Sequence, residues 1–289
     1  MSSSDNPALD FVRQLGQDLA SNDFDLPPFP DTALRIQEAL NDPDVSIDKL
    51  STIVLSEPAL AARLLRMSNS AMIRRGPMEV TDIKTAISRI GLDMVQNAAM
   101  SFAAREAFQA PKGSPSLAQL QKARDHSIRV SALAYLLGRK VKYVGKPDEA
   151  MLAGLMHAVG KFYILIKAGD FPELFADEDT LRDLLDQWHT GVGRAIVESW
   201  GFPEQIAQAV DEHEILEREP FLSADITDLV LVANLVADAD ADAEADEDEI
   251  AKLADLPSLS RMNIDTDELR SLLEESREEV SSMVQALSS

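Results

Sequence analysis

The chain has 289 residues, 45% of them hydrophobic, with no cysteine and a formal charge of −23. Such a length and apolar share support a sizeable core, in one large domain or two subdomains folded together, while the lack of cysteine excludes disulfides, thiolate metal sites and cysteine nucleophiles. An acidic body repels phosphate backbones and anionic headgroups, which argues against nucleic acid or a membrane surface as the main partner.

The N-terminus, MSSSDNPALDF, lacks the basic and apolar segments of an export signal. No apolar run reads as reaching the ~18 residues of a membrane span, so a soluble, cytoplasmic protein is expected. Leu9, Val12, Leu15 and Leu19 predict a short helix over 8–20, and LPPFP at 26–30 predicts a rigid extended approach. A helix is expected from Asp31 through Leu40 to the break at Asn41-Asp42-Pro43. Ser46 reads as the N-cap of another helix ending at Leu55. Ser56-Glu57-Pro58 opens a third, ALAARLLRMSNSAM, with Leu60, Ala61, Leu64 and Leu65 on one side and Arg63 and Arg66 expected on the other. Thr81 and Asp82 start a further helix that stops at Gly91.

Arg63, Arg66, Arg74, Arg75, Lys84 and Arg89 form a local cationic excess within this acidic chain. Two readings stand open for the patch centred on Arg63, Arg66, Arg74 and Arg75: a surface for an anion or an acidic partner, or solvated and internally paired charges. Residues 111–116, PKGSPS, interrupt two helical patterns and divide the chain into an N-terminal helical subdomain, 1–110, and a second bundle, 111–289. Nowhere do β-branched and polar residues alternate between turn signals, so the expected class is all-α, a multi-helix bundle without a sheet.

The ordered stretches LPPFPDTALRIQEALNDPDVSIDKL, SEPALAARLLRMSNSA, VTDIKTAISRIGLDMVQNAAM, DHSIRV, AGLMHAVGK and HTGVGRAIVESWGFPEQIAQAV resemble the HDOD family, with Ser-Asn-Ser at 68–70 and Trp-Gly-Phe-Pro at 200–203 as the firmest marks. The resemblance implies a helical bundle of HD-domain type, related to metal-dependent phosphohydrolases, usually without hydrolase activity and associated with bacterial signalling. In an HD site two histidines and two aspartates hold divalent metal, which acidifies a bound water and polarises phosphoryl oxygens. By the resemblance, His126 and His157 stand for the two histidines and Lys161 for the lysine of the Gly-Lys turn. Ala158 and Asn234 occupy the positions of the two aspartates, so the site reads as degenerate. Loss of two negative charges removes the bridging carboxylate that a pair of dications needs.

His189 and His213 lie at the edges of apolar helical stripes and resemble the added histidines of the HD-GYP subgroup. Two readings again stand open: His126, His157, His189 and His213 hold one zinc or nickel ion, or each is a core histidine with a hydrogen-bond partner. No other cofactor is expected. Asn234 is the one polar residue in LVLVANLVA and is expected to bond to backbone or to a histidine, because an unpaired buried amide costs about 1–3 kcal/mol.

Residues 237–249, ADADADAEADEDE, read as a solvated acidic linker, since no glycine supplies the turn of a calcium loop. Residues 237–289 hold 16 acidic and 4 basic side chains, more than half of the net charge. Leu269, Leu272, Ser276, Val280, Met283 and Leu287 predict one amphipathic helix over 266–287 that packs on its own body or forms a homodimer seam. The function expected is a non-catalytic module of a signalling pathway, acting on signalling proteins or through a small-molecule or nucleotide ligand in the degenerate cleft. A metal-dependent phosphohydrolase acting on a nucleotide or cyclic dinucleotide is the first alternative and an oligomerising scaffold the second.

Overall fold

The computed structural model describes residues 7–21, 31–42, 44–110, 112–141, 144, 147–218, 223–239, 250–251 and 253–288. Among them every regular element is a helix. The extended approach at 26–30 and most of the acidic run, from residue 240 on, lie outside the described residues, as does the side chain of Leu19.

Local chemistry starts and stops the helices of the N-terminal half. After α1 (Pro7–Ser21) and α2 (Asp31–Leu40), the Ser46 hydroxyl accepts the Lys49 N–H at 3.2 Å and opens α3 (Ile47–Leu55). Proline in the first turn opens α4 (Pro58–Asn69), and Asp82 accepts the Thr85 N–H at 2.9 Å to open α5 (Ile83–Ile90). Gly91, with φ +89°, turns the chain directly into α6 (Leu92–Ala107). The helix expected to run to Met72 ends at Asn69, whose amide grips Val80 through two 2.8 Å bonds, to its N–H and to its carbonyl. The Ser-Asn-Ser stretch thus pins a loop.

The longest helix, α7 (Leu117–Lys140), is the axis of the second half. Against it pack α8 (Pro147–Met156), α9 (Val159–Ala168) and α12 (Ile226–Ala239), with α10 (Glu178–Ser199) and α11 (Glu204–Glu212) closing the far side. Contrary to expectation, residues 147–168 are apolar and long enough to pass for a membrane span, but 83% of that window is buried inside the protein. They form its core. Trp200 and Phe202 flank Gly201 (φ +73°), and Trp200 packs on Phe108 at 5.7 Å, so the Trp-Gly-Phe-Pro stretch ties α10 to the end of α6.

The chain closes with α13 (Pro257–Met262), α14 (Thr266–Glu275) and α15 (Arg277–Ser288). The single C-terminal helix expected over 266–287 is broken at Ser276, whose backbone (φ −102°, ψ 7°) departs from the helix. The break turns α15 onto α4 and α7, where Met283 and Leu287 are buried. One continuous apolar cluster runs from Phe11 to Leu287, and α6 packs on α8 across the 111–116 boundary.

Candidate functional site

Two close helix contacts set the histidines. A Cβ on Gly154 would stand 2.7 Å from the Ser131 Cα, so α8 lies tight on α7 and brings His157 beside His126, ring centroids 5.4 Å apart. A Cβ on Gly160 would stand 1.9 Å from the His189 carbonyl oxygen, so α9 meets α10 backbone to backbone at this point. His213 ends α11 and completes the row, 4.9 Å from His157 and 5.4 Å from His189. All four histidines therefore meet in one place.

Their tautomers are set by the backbone. Nδ1–H of His157 donates to Gly154 O (2.7 Å), that of His189 to Leu185 O (2.7 Å) and that of His213 to Val210 O (2.9 Å). Each imidazole then presents Nε2, the arrangement by which proteins hold metal-ligating histidines. His189 and His213 bring their Nε2 atoms to 3.4 Å from each other, with Glu214 Oε1 at 3.1 Å and 3.7 Å. Three lone-pair atoms at this spacing repel unless a proton or a cation lies among them. His157 Nε2 is buried and finds no partner among the described residues. These donors fit a single borderline metal ion of the zinc or nickel kind, which takes imidazole and carboxylate together.

Burial and neighbouring imidazoles push His157 well below the ordinary histidine range, and burial with the charge of His189 pushes His213 down to about 3. Both rings are neutral at pH 7, the form that binds metal. Burial works to raise the Glu214 carboxyl, but the hydrogen bond and charge of His189, with Lys161 and His213 beyond, hold it down to about 2. Lys161 Nζ lies 3.5 Å from Glu214 Oε1.

At the other end of the row His126 Nε2 lies 2.8 Å from Asn234 Oδ1, and its Nδ1 lies 3.4 Å from Asp238. Asp238 belongs to α12, so the first part of the stretch read as linker is helical. Ala158 ends the α8–α9 turn with a buried methyl group and no side-chain oxygen to offer. His126, Ala158, Lys161, Asn234, Asp238 and Glu214 line a cleft of about 530 Å³. Three carboxylates that the sequence alone does not mark as site residues, Asp125, Glu214 and Asp238, therefore line it, and Asp125 accepts from Gln121 Nε2 at 2.8 Å. The Glu214 signal was the His-Glu pair at 213–214.

The cationic patch does not form as a unit. Arg63 follows Leu60 by three residues and precedes Met67 by four, which puts it on the buried face of α4, 2% exposed, and not on the far side with Arg66. Arg74 and Arg75 are exposed at the other end of the turn that follows α4, Arg89 bonds the carbonyls of Ser68 and Met78, and Lys84 pairs with Asp48 at 2.6 Å.

The model of the HDOD domain family matches residues 26–216. The chain belongs to the HDOD family. Solved HDOD-like structures share its fold. A protein of Shewanella amazonensis that bears the name of a metal-dependent phosphohydrolase is 24% identical, with a TM-score of 0.81 over 96% of this chain and 99% of that one. An HDOD domain protein of unknown function from Geobacter sulfurreducens is 22% identical, with a TM-score of 0.70 over 97% and 98%. A Marinobacter aquaeolei protein named for signal transduction is 18% identical, with a TM-score of 0.58 over 100% and 68%. An uncharacterized protein of Treponema pallidum is 23% identical over 77% of this HDOD chain, which spans 44% of that relative's length.

Proposed function

We propose that this HDOD protein is a regulatory module of signal transduction that does not hydrolyse phosphoesters, and that its cleft between α7, α9 and α12 receives a small ligand or a segment of a signalling protein. The observation that carries the reading is Ala158. A dinuclear phosphohydrolase needs a carboxylate between its two dications, and this position offers a methyl group while the Asn234 amide is engaged with His126. Glu214 and Asp238 pair with different imidazoles at the two ends of the row, so neither replaces that bridge. The name borne by the Marinobacter relative fits a signalling role.

His189, His213 and Glu214, with His157 beside them, are the residues that would hold one ion. A bound ion of that kind polarises a phosphoryl oxygen or acidifies a water. Without it, the deprotonated Nε2 of His157 accepts a hydrogen bond from whatever enters the buried end of the row, and His189, with Lys161 beyond it, keeps Glu214 charged. The same donors support the second reading, a metal-dependent phosphohydrolase.

Metal content by elemental mass spectrometry, combined with hydrolysis of bis(p-nitrophenyl) phosphate and of a cyclic dinucleotide, separates the two. At most one ion per chain and no turnover above buffer is the expected result. Two ions per chain, with hydrolysis abolished by His126→Ala or His157→Ala, would overturn the regulatory reading.

A further inference from the structure

A second pocket, beside the histidine row, is lined by three arginines and no carboxylate. Arg63 of α4, Arg105 of α6 and Arg124 of α7 line a cavity of about 30 Å³, room for one small ion or for the head of a larger molecule. Arg63 forms its buried side: Nε and Nη1 find no hydrogen-bond acceptor, and no carboxylate among the described residues pairs with it. Arg124 Nη2 donates to the Phe108 carbonyl, while its Nε is buried and unpartnered. Arg105 lies over the Phe102 ring at 5.6 Å, and its Nε is 3.8 Å from the Glu106 carboxylate. A guanidinium stays charged at neutral pH even when hard pressed. Burial, then the charges of Arg105 and Arg66, push Arg63 down to about 9, still above neutrality, and burial and Arg105 lower Arg124 as well.

Three cations around a common space, one of them fully enclosed, raise each other's energy and lose their hydration. Natural cores do not leave a guanidinium in that condition. A guanidinium fork presents paired N–H donors that match the oxygens of a phosphoryl group. Glu106 and Asp125 act on Arg124 from outside the pocket lining, and neither pairs with Arg63, so the buried end of the pocket keeps an uncompensated positive charge. We propose that this pocket is a phosphate-binding site, in which Arg63, Arg105 and Arg124 clamp a dianionic phosphoryl group, free or on a small metabolite. The site is independent of the regulatory reading of the histidine cleft. It adjoins it nonetheless: Met156 and Val159, which bracket the His157-Ala158 turn, form part of the pocket wall.

The test is calorimetry and thermal unfolding of the full chain with inorganic phosphate and with glycerol phosphate, against chloride and acetate at matched ionic strength. Both phosphates should bind in one-to-one ratio and raise the unfolding midpoint by about 5 °C at a hundredfold excess over Kd. Preference for the ester would assign the site to a phosphorylated metabolite, and equal affinity to free phosphate. Arg63→Met should abolish the phosphate shift and, in chloride, unfold at a higher temperature than the parent, because the uncompensated charge is gone. Should Arg63→Met fail to fold, Arg124→Gln and Arg105→Gln carry the test, each weakening phosphate binding tenfold or more. A phosphate shift that matches chloride, that is surpassed by acetate, or that persists in these variants overturns the proposal.

Discussion

Asp228 shows how much a single buried carboxylate can hold in this chain. It is fully enclosed, accepts from Ser258 Oγ at 2.7 Å and Arg261 Nη2 at 2.5 Å, and lies 3.2 Å from Arg218 Nη1. Arg218 in turn grips Asp225 with two 2.8 Å bonds and Glu212 with a third. Burial alone would raise the Asp228 carboxyl, but the bonds from Arg261 and Ser258 overcome it and leave it below the ordinary aspartate range. Asp228→Asn keeps the shape and removes the charge, leaving two guanidiniums short of an acceptor, a loss of about 3 kcal/mol. A depressed folded-state carboxyl contributes stability above its unfolded value, ~3.9, and loses it as pH falls through the lower folded value. The gap between the urea midpoints of parent and variant should therefore be widest near neutral pH and narrow as pH falls below ~3.9. A gap that stays constant with pH would show that Asp228 acts by shape alone.

At the scale of elements, glycine contacts and helix breaks decide what the side chains can do. Gly160→Ala places a methyl against two backbone groups of α10, His189 O at 1.9 Å and Gly193 N at 2.7 Å, so the helices must part, at a cost of about 3 kcal/mol. Gly191 on the same helix has open space around its Cβ position, and Gly191→Ala should stabilise by up to about 1 kcal/mol through helix propensity alone. Urea denaturation of the pair checks both signs. In α14 and α15, Leu269, Met283 and Leu287 are buried against this same chain, Ser282 Oγ accepts the Ala71 N–H at 2.9 Å, and Arg139 pairs with Glu279 at 2.8 Å. Deleting residues 264–289 should lower the thermal midpoint by about 10 °C. A dimer that becomes a monomer on light scattering with an unchanged midpoint would instead make these helices a seam. Caps were legible in the sequence at Ser46, Asp82 and Gly91 because one residue and its neighbours decide them. The break at Ser276 was not, since the apolar spacing runs through it and only the packing surface offered by α4 and α7 bends the chain. Arg63 was misplaced for a related reason: charge suggested solvent, whereas its spacing from Leu60 and Met67 pointed inward. Of the site, His126, His157, Ala158 and Asn234 could be marked by family pattern. Glu214 and Asp238 could not, because their meaning depends on which helix ends converge.

The whole molecule is divided by sequence and joined by packing. The stretch 111–116 separates two helical patterns, yet α6 lies on α8, α15 spans α4 and α7, and the arginine pocket takes Arg63 and Arg105 from one side of the boundary and Arg124 from the other. A single apolar cluster serves both halves. Cooperative unfolding follows wherever separating two parts exposes a shared core, since neither part then buries enough surface to offset its own chain entropy. Heat and urea should accordingly unfold the chain in one transition, with near- and far-ultraviolet circular dichroism coincident and calorimetric and van't Hoff enthalpies equal. A fragment of residues 1–110 made alone should show helical signal without a sharp transition, because the faces of α4 and α6 that meet α15 and α8 would be open to water. Two resolved transitions, or a fragment that melts cooperatively at the temperature of one of them, would mean that the halves are independent domains. In that case a ligand in the histidine cleft could not bias the N-terminal helices through the core they share.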